Sequence, residues 1–388
     1  MPILAHKITL DPNRDQEAYF RRACGTARFA YNWGLQTWRE QYLAGEKPTA
    51  AKLKLLWNGS RREHFPWSLE VTKCSGAQAI LNLGAAFNNF FKKHSRYPKF
   101  KKRGRRDCFS LWNDQFTVEG RKVRIPKLGW VRMREVLRFA GKILSAVVSC
   151  RAGKWFISIT VETDDTLHPS ENQAGSVGVD LGVKSLAVLS TGEVIEGPKA
   201  GQKLAKKLVR LSRSLSRKIK GSANWKKAKL KLSRLHARIV NLRNDAIHKL
   251  TTRLAMEFKA VGIEDLNVHG MLKNHRLARA ISDQSFSEVR RQLEYKCAMT
   301  GTLLVVHNRW FASSKTCSAC GYVLKSLKLS TRQWVCPVCG VIHDRDENAA
   351  INLKPTSVGF TVAACGPEGS GLTVISMAKP AGMKQELC

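Results

Sequence analysis

The sequence predicts a multidomain α/β protein, and three observations support this fold class. After residue 174, apolar strand-like segments alternate with helical segments, as in a sheet covered by helices. Residues 109–163 contain short alternating strands separated by turns, which is typical of a small antiparallel β-barrel. Two Cys-x2-Cys pairs near residue 330 predict a metal-bound insertion. With 388 residues, the chain is long enough for two or three domains.

The composition points to a polyanionic partner. The chain has 66 Lys and Arg residues against 30 Asp and Glu residues, which gives a formal net charge of +36 at pH 7. Nucleic acid is the leading candidate, because each basic side chain that meets a phosphate releases condensed counterions. A ribosomal-type protein or a membrane-surface binder would have a similar balance. However, the sequence has no run of 18 apolar residues and no signal-peptide pattern. We therefore expect no membrane partner and a cytoplasmic or nucleoid-associated protein.

The N-terminal region is predicted to begin with a strand and to continue as helices. Residues 2–13 alternate like a strand, and a helical period then extends to Gly45. Because the first strand is short, we expect it to join the barrel across the helices that follow. A second helical stretch covers about residues 76–93, and core packing explains its apolar stripe better than base stacking does. The stripe consists of Ile80, Leu83, Phe87, Phe90 and Phe91.

Two basic segments are candidates for contact with a nucleic-acid backbone. Residues 96–106 carry seven basic side chains in eleven positions, interleaved with Tyr97 and Phe100, although a solvated loop would have the same pattern. Residues 201–250 carry sixteen Lys or Arg residues and one acid, Asp245. Leucine stripes on both sides of residues 221–222 predict a helical hairpin with an apolar seam. Its polar face could simply be solvated, but its uncompensated charge favours a polyanion.

The spacing of four cysteines predicts a structural zinc site. A glycine follows each Cys-x2-Cys pair directly and permits the tight turn that such a site needs. Because thiolates fill all four positions, no ligand position is open for catalysis. An odd total of eleven cysteines favours a reducing compartment, and a redox pairing of these thiols is the weaker alternative. The predicted ligands are Cys317, Cys320, Cys336 and Cys339.

Three carboxylates occur where apolar residues would be expected. Asp180 interrupts the apolar run VGVDLGVKSLAVL, and Glu264 ends the run VGIE. Asp346 lies on the same helical stripe as Ala349, Ala350 and Leu353, which should face the interior. A carboxylate on a buried face is costly unless it is paired or bound to a metal. Each acid alone could be a satisfied residue at the end of an element, but three such acids favour a shared site.

We therefore predict that Asp180, Glu264 and Asp346 together hold two divalent cations. Ligand sets made only of oxygen suit Mg²⁺ or Mn²⁺ better than zinc. Two such ions about 3.5 to 4 Å apart stabilise both the attacking and the leaving oxygen of a phosphodiester. Asp344 has a different predicted role: with Glu347 three residues later, it has the spacing of a helix N-cap.

Five motifs resemble those of the TnpB family, the transposon-encoded RNA-guided DNA endonucleases related to type V CRISPR effectors. They are VGVDLGVKSLAVL, VGIEDLNV, SSKTCSACG, CPVCG and HDRDENAAINL. The similarity extends upstream through ARFAYNWGL, AAFNNFFKK, YPKFKKR and IPKLGWVRMR, so it spans roughly residues 1–354. It is specific, because the cysteine pairs lie between the second and third acids in the family's order.

The resemblance implies a RuvC-like RNase H fold for the nuclease domain, with Asp180, Glu264 and Asp346 as the catalytic, Mg²⁺-binding acids. It also implies an inserted zinc ribbon and a wedge β-barrel that carries an inserted helical recognition domain. The implied boundaries are 1–10 and 95–168 for the wedge, 11–94 for the recognition domain, 175–311 and 343–354 for the nuclease and 312–342 for the ribbon. The Gly-, Ser- and Ala-rich residues 355–388 are expected to be a disordered tail.

The implied partners are a guide RNA from the transposon end and a target double-stranded DNA. The family recognises a short motif beside the target, opens the duplex and cleaves both strands. The resemblance also implies a bacterial or archaeal host, and we expect a monomer with one RNA. Two alternatives stay open: an RNA-guided repressor or transposition regulator that no longer cuts, and a strand-transferring transposase on the same fold.

Overall fold

The structure is a computed structural model that describes residues 3–163, 174–328 and 330–355, together with the backbone of residues 372–375. The chain divides into two compact units. The described part of the N-terminal unit is residues 3–163, and all later described residues belong to the C-terminal unit. In the described part of the chain, no helix is long and apolar enough to cross a membrane.

The N-terminal unit contains a seven-stranded antiparallel sheet in the order β2-β6-β7-β1-β5-β4-β3. Its strands are β1 (Ile3–Asp11), β2 (Asp107–Trp112), β3 (Thr117–Glu119), β4 (Lys122–Ile125), β5 (Gly129–Met133), β6 (Lys142–Arg151) and β7 (Lys154–Glu162). The first strand pairs with β7 along eight residues and with β5 at its other edge, which confirms that it joins the later strands. Within residues 3–163, the edge strands β2 and β3 do not pair with each other, so the predicted barrel is an open sheet.

Three helices lie between β1 and β2 in the chain: α1 (Arg14–Leu43), α2 (Ala50–His64) and α3 (Lys73–Phe91). Asn13 caps α1, because its side chain accepts from the backbone N–H of Gln16. The helices and the sheet share one apolar core, in which Phe20 of α1 packs against Phe109 of β2 and Trp155 of β7. Packing therefore holds the helices to the sheet inside this unit.

The apolar stripe predicted on the second helical stretch packs mainly into this core. Ile80, Leu83 and Phe87 are buried, and the ring of Phe87 stacks on Trp38 with centroids 4.1 Å apart. Phe90 is partly buried and contacts the ring of Tyr97, whereas Phe91 is exposed. Core packing is thus the correct interpretation for four of the five side chains.

The C-terminal unit contains a six-stranded mixed sheet in the order β10-β9-β8-β11-β12-β15. Its strands are β8 (Ala174–Asp180), β9 (Ala187–Leu189), β10 (Val194–Ile195), β11 (Phe258–Glu264), β12 (Leu303–His307) and β15 (Leu372–Ile375). Strands β8, β11 and β12 are parallel, whereas β9, β10 and β15 run antiparallel to their neighbours. A separate hairpin pairs β13 (Gln333–Val335) with β14 (Ile342–Asp344).

Seven helices accompany this sheet in the described residues. They are α4 (Ala200–Lys203), α5 (Ala205–Ser216), α6 (Ala223–Glu257), α7 (Val268–Met271), α8 (Ala278–Gln284), α9 (Phe286–Thr300) and α10 (Arg345–Leu353). Val261 and Ile263 of β11 form a core with Leu250 and Leu254 of α6 and Leu293 of α9. Parallel apolar strands therefore bury their side chains under helices, as the sequence predicted.

Strand β15 lies in the segment that was expected to be disordered. Its four residues pair antiparallel with β12. The composition of residues 355–388 did not predict this strand, because a four-residue strand carries little periodicity of its own. The rest of that expectation, for residues 356–371 and 376–388, lies outside the described residues.

The predicted basic hairpin is formed by α5 and α6. Leu208 and Leu211 of α5 pack against Leu235 and Ile239 of α6, so the apolar seam is confirmed. The buried Asp283 of α8 braces the base of this hairpin. Its carboxylate accepts from the backbone N–H groups of Gly201 and Gln202 at 2.9 and 3.0 Å and from Arg243 Nε at 2.7 Å.

We expect Asp283→Ala to destabilise the C-terminal unit strongly. The substitution leaves the Arg243 guanidinium and two backbone donors without their acceptor, which costs about 3 kcal/mol in free energy of unfolding. Asp245→Ala is the matched control, since Asp245 is an exposed acid that pairs with Lys249 on the same helix α6. It should cost under about 1 kcal/mol. Urea unfolding of both variants measures the difference, and equal losses would contradict the bracing role.

Candidate active site and zinc cluster

Two of the predicted acids end neighbouring parallel strands. Asp180 is the last residue of β8, and Glu264 is the last residue of β11. The two strands pair in register, with Gly178 opposite Gly262 one step before their last paired residues. Continuing this register by two residues from the glycines brings Asp180 beside Glu264.

The paired glycines show which face of the sheet these acids occupy. A Cβ added at Gly178 would lie 1.9 Å from the carbonyl oxygen of Ala350, and one at Gly262 would lie 1.9 Å from that of Leu353. The backbone of α10 therefore rests directly on the two strands. Successive side chains in a strand alternate between faces, so residues two positions after the glycines point to the α10 side. Asp180 and Glu264 thus face α10 together.

Helix α10 presents the third acid at its first turn. The Asp344 side chain accepts from the backbone N–H groups of Asp346 and Glu347 at 3.0 and 3.1 Å, which confirms its predicted role as N-cap. The stripe behind Asp346 is fully buried, as predicted, at Ala349, Ala350 and Leu353. Asp346 itself is half-buried at the end of this stripe.

The three carboxylates act on one another electrostatically. Burial, followed by the charges of Asp346 and Glu264, raises the pKa of Asp180 to about 7, against the opposing effect of Arg345 and Arg332. Burial, followed by the charge of Asp265, also raises the pKa of Glu264. Without a cation, the negative charges of these carboxylates therefore repel one another, and a bound cation would offset that repulsion.

The oxygens of the three acids do not form one tight group. In residues 3–163, 174–328 and 330–355, only four cysteines place their ligand atoms all within 4.8 Å of one another. Arg332 holds the carboxylate of Asp346 through two hydrogen bonds.

Arg332 is a site residue that the sequence analysis missed. Its Nη1 donates to both carboxylate oxygens of Asp346 at 3.1 Å. Arg332 directly precedes β13, and its carbonyl accepts from the backbone N–H of Arg345 at the start of α10. In a chain with 66 basic residues, nothing in the sequence marks this arginine among the others.

Asp265 is a second residue that was missed, and it supports Glu264. Hydrogen bonds from Arg309 and Arg290 lower the pKa of Asp265 and neutralise the acid that follows Glu264. The backbone N–H of Asp265 also donates to the carbonyl of His307, at the end of β12, at 3.0 Å. These contacts fix the end of β11, where Glu264 must be oriented.

The four predicted cysteines come together in a geometry that fits zinc. The sulfurs of Cys317 and Cys339 lie 3.6 Å apart, and those of Cys320 and Cys336 lie 3.5 Å apart. A tetrahedron with Zn–S bonds of about 2.3 Å requires sulfurs about 3.8 Å apart, close to these values. Gly321 and Gly340, which follow the two pairs, have φ angles of +77° and +71°, so glycine suits both turns.

Hydrogen bonds attach the cysteine cluster to α10. The side-chain amide of Asn348 donates to the carbonyl of Thr316 at 2.8 Å, and that of Asn352 donates to the same carbonyl at 2.7 Å. The Nε2 of His343, in strand β14, contacts the sulfur of Cys317, the residue after Thr316, at 3.0 Å. The helix that carries Asp346 and the cysteine cluster therefore form one connected structure.

Comparison with known families matches most of the described chain. Residues 156–275 match a family described as "Probable transposase", and residues 286–353 match one described as "Cas12f1-like, TNB domain". Residues 1–47 match a family described as a helix-turn-helix domain. In the described residues 3–47, that range holds strand β1 and the single helix α1 rather than two helices.

Curated relatives cover almost the full chain. A Streptomyces pristinaespiralis protein named "Putative RNA-guided DNA endonuclease" is 41% identical over 93% of this chain and 90% of its own length. The InsQ protein of Escherichia coli (strain K12), which has the same descriptive name, is 36% identical over 93% of this chain and 94% of its own. A Mycobacterium tuberculosis relative with that descriptive name is 31% identical over 95% of this chain and 90% of its own.

Two solved structures share the fold at low sequence identity. A Cas12f1 protein, solved in complex with sgRNA and target DNA, has a TM-score of 0.53 at 14% identity and covers 87% of this chain and 82% of its own. The mini-RNA-guided endonuclease CRISPR-Cas_phi3 has a TM-score of 0.54 at 9% identity and covers 90% and 92%. This chain therefore shares a mixed α/β fold with both proteins.

We expect Gly178→Ala to displace α10 from the sheet. The added methyl group would collide with the Ala350 carbonyl, and relieving that overlap should cost about 1–3 kcal/mol or more in free energy of unfolding. Gly175→Ala is the matched control, because Gly175 lies in the same strand and its Cβ would meet nothing within 4 Å. Urea unfolding measures both changes. A Gly178→Ala protein as stable as the control would contradict the close backbone contact.

We expect Asp180→Asn to stabilise the protein in magnesium-free buffer at pH 8. The folded-state pKa of Asp180 is raised from 3.8 to about 7, so wild-type stability falls as pH rises through this window. The amide avoids that loss and should gain about 1–2 kcal/mol, less than the full pKa shift would give because the site is partly solvated. Thermal unfolding at pH 8 and pH 5 tests this, with exposed Asp245→Asn as control. A gain that is as large at pH 5 as at pH 8 would contradict the electrostatic origin.

Proposed function

The chain belongs to the TnpB family, and we propose that it is a transposon-associated, RNA-guided DNA endonuclease whose active site consists of Asp180, Glu264 and Asp346. The observation that carries the proposal is the convergence of three chain-distant acids on the α10 face of β8 and β11. Relatives named as RNA-guided DNA endonucleases, at 41% and 36% identity over nearly the whole chain, support the activity.

A RuvC-like RNase H fold is the inferred architecture of the nuclease domain. The strand order β10-β9-β8-β11-β12 supports it, since two antiparallel strands precede three parallel ones and the acids end two of the parallel strands. The zinc ribbon, residues 312–342, would be inserted between the second acid and the third. By the same inference, residues 1–10 and 95–168 form the wedge domain and residues 11–94 form the recognition domain.

The two groups of candidate ligands suit different metals. The acids offer only oxygen, which fits Mg²⁺ or Mn²⁺, and the cysteines offer only sulfur, which fits one structural Zn²⁺. When bound, a pair of Mg²⁺ ions supplies positive charge for the attacking and leaving oxygens of the phosphodiester. Because burial and the neighbouring acids raise the pKa of Asp180 to about 7, cation binding at neutral pH would be accompanied by partial proton release from this carboxyl.

Arg332 contributes positive charge that belongs to the chain itself. Its guanidinium orients Asp346 through two hydrogen bonds and keeps further donors for a phosphate oxygen of the substrate. Arg345, the first residue of α10, adds a second positive charge that opposes the acids. The site thus combines acids that hold cations with arginines that stabilise phosphate charge in the transition state.

The basic surfaces would hold the nucleic acid without reading its sequence. Pairing between guide RNA and target DNA supplies sequence recognition, and the protein holds the backbone of the heteroduplex. Residues 96–106 and 203–249 are the proposed backbone contacts. Exposed basic side chains of α5, including Lys206, Arg210 and Arg213, line a groove of about 560 Å³ in the C-terminal unit, in keeping with this role.

We expect Asp180→Ala to reduce target cleavage by roughly a thousandfold or more, because one of the three acids proposed to hold the cations is lost. Affinity for the guide RNA should stay nearly unchanged, because the basic surfaces are intact. Cleavage of a plasmid target in Mg²⁺ and RNA binding by filter retention measure the two effects, with Asp245→Ala as the surface-acid control. Retained cutting by the Asp180→Ala protein would refute the assignment of the active site.

Experiments on the same purified protein distinguish the alternative functions. RNA that accompanies the purified protein, together with cleavage that depends on Asp180, supports the nuclease. RNA and target binding without cleavage would identify a repressor or transposition regulator. Integration of donor ends in vitro without RNA would identify a strand-transferring transposase.

A further inference from the structure

The N-terminal unit contains an open groove that the proposed cleavage chemistry does not use. Its volume is about 720 Å³, within the range of pockets that hold small organic ligands. Helix α1 forms its floor, and Trp67 and Phe100 contribute to its walls. The α1 residues Arg22, Gly25, Phe29 and Trp33 recur at helical spacing along the floor.

Three aromatic side chains of this groove are unusually exposed. Phe29, Trp67 and Phe100 expose 38%, 42% and 44% of their surface. Phe29 and Trp67 meet edge to face, with centroids 5.0 Å apart, so neither ring covers the other. Exposed aromatic surface gathered in one groove is typical of a binding site. Trp67 is one such exposed ring, and exposed aromatic rings are the elements on which unpaired nucleobases stack.

Gly25 is the second, independent observation. It lies in the middle of a 30-residue helix, where glycine costs about 1 kcal/mol relative to alanine. A Cβ at this position would meet only Arg28 Nη2, at 3.9 Å, which is ordinary contact. No packing within the described chain therefore requires glycine here. Because glycine has no side chain, the helix backbone is accessible at this point of the groove, and a ligand can approach it closely.

The charges around the groove favour a ligand that carries phosphate. Phe100 belongs to basic segment 96–106, and the Arg39 guanidinium stacks on its ring at 5.1 Å. Arg22 lies on the groove and pairs with Glu70 at 3.4 Å, with both side chains exposed. Glu70 can accept from the exocyclic amine of a base, while the basic segment meets its phosphate. The rim therefore offers partners for both ends of a nucleotide.

We propose that this groove binds an unpaired base of the guide RNA, stacked on Trp67 above Gly25, with Phe29 against the edge of the stack. The inference rests on the proposed function and adds a single-stranded RNA site to it. RNA is favoured over DNA, because proteins read RNA mainly through splayed bases of loops and bulges stacked on aromatic side chains. The bases of a target duplex, in contrast, are paired until the duplex is opened.

The test compares Trp67→Ala and Gly25→Leu with Gly59→Leu in the full-length protein. Gly59 is the matched control, because it is an exposed glycine within helix α2 whose Cβ would meet nothing within 4 Å. The probe is a fluorescein-labelled transcript of the RNA that co-purifies with the wild-type protein, and affinity is measured by anisotropy. Trp67→Ala and Gly25→Leu should weaken binding by roughly tenfold or more, which corresponds to one lost stacked base. Gly59→Leu should bind as wild type does.

Urea unfolding separates binding from folding. Gly25→Leu removes a helical glycine, so its stability should equal or exceed that of wild type while its RNA affinity falls. In transcripts carrying 5-bromouridine, photocrosslinks should map to Trp67 or Phe29 by mass spectrometry. Wild-type RNA affinity in both groove variants would overturn the inference. Weaker binding of single-stranded d(A)12 with unchanged RNA binding would assign the groove to DNA and overturn it as well.

The proposed function is tested separately in the same proteins. If wild type cleaves its target and Asp180→Ala does not, while both groove variants bind RNA normally, the nuclease stands and the groove inference fails. If no RNA accompanies the wild-type protein, the RNA-guided function fails, and the groove inference fails with it.

Discussion

The candidate active site depends on direct backbone contact between α10 and two parallel strands. Gly178 and Gly262 are neighbours across β8 and β11, and neither position has room for a side chain beneath the helix. Since side chains alternate along a strand, this contact also determines that Asp180 and Glu264 face the helix that carries Asp346. Three acids that are far apart in sequence meet because two glycines let a helix approach the sheet.

The four-cysteine cluster is connected to the same helix by specific hydrogen bonds. Asn348 and Asn352 bind the segment that enters the first cysteine pair, while Asp344 ends β14 and caps α10. Arg332 reaches Asp346 from the start of β13, in the hairpin formed by the second half of the ribbon. The position of the third acid thus follows from the fold of the ribbon as well as from its own helix.

Much of this site could be predicted from the sequence, because its signals are local. Acids in apolar runs marked Asp180 and Glu264, and helical spacing put Asp346 on a stripe that is buried in the structure. Arg332 could not be singled out, since its partner is known only once the hairpin has folded. The isolated glycines within the two strands, Gly178 and Gly262, are also a sequence signal of close backbone approach. Strand β15 could not be predicted, because it forms by pairing with β12, and the sequence of residues 372–375 alone does not indicate that pairing.

The central place of β1 in its sheet has a consequence for synthesis. This strand leaves the ribosome well before its principal partner β7, which begins at Lys154. At about 5–20 residues per second, translation takes roughly 7–30 s to span that distance. During this interval, the two edges of β1 carry unpaired amide and carbonyl groups, which are prone to association with other chains.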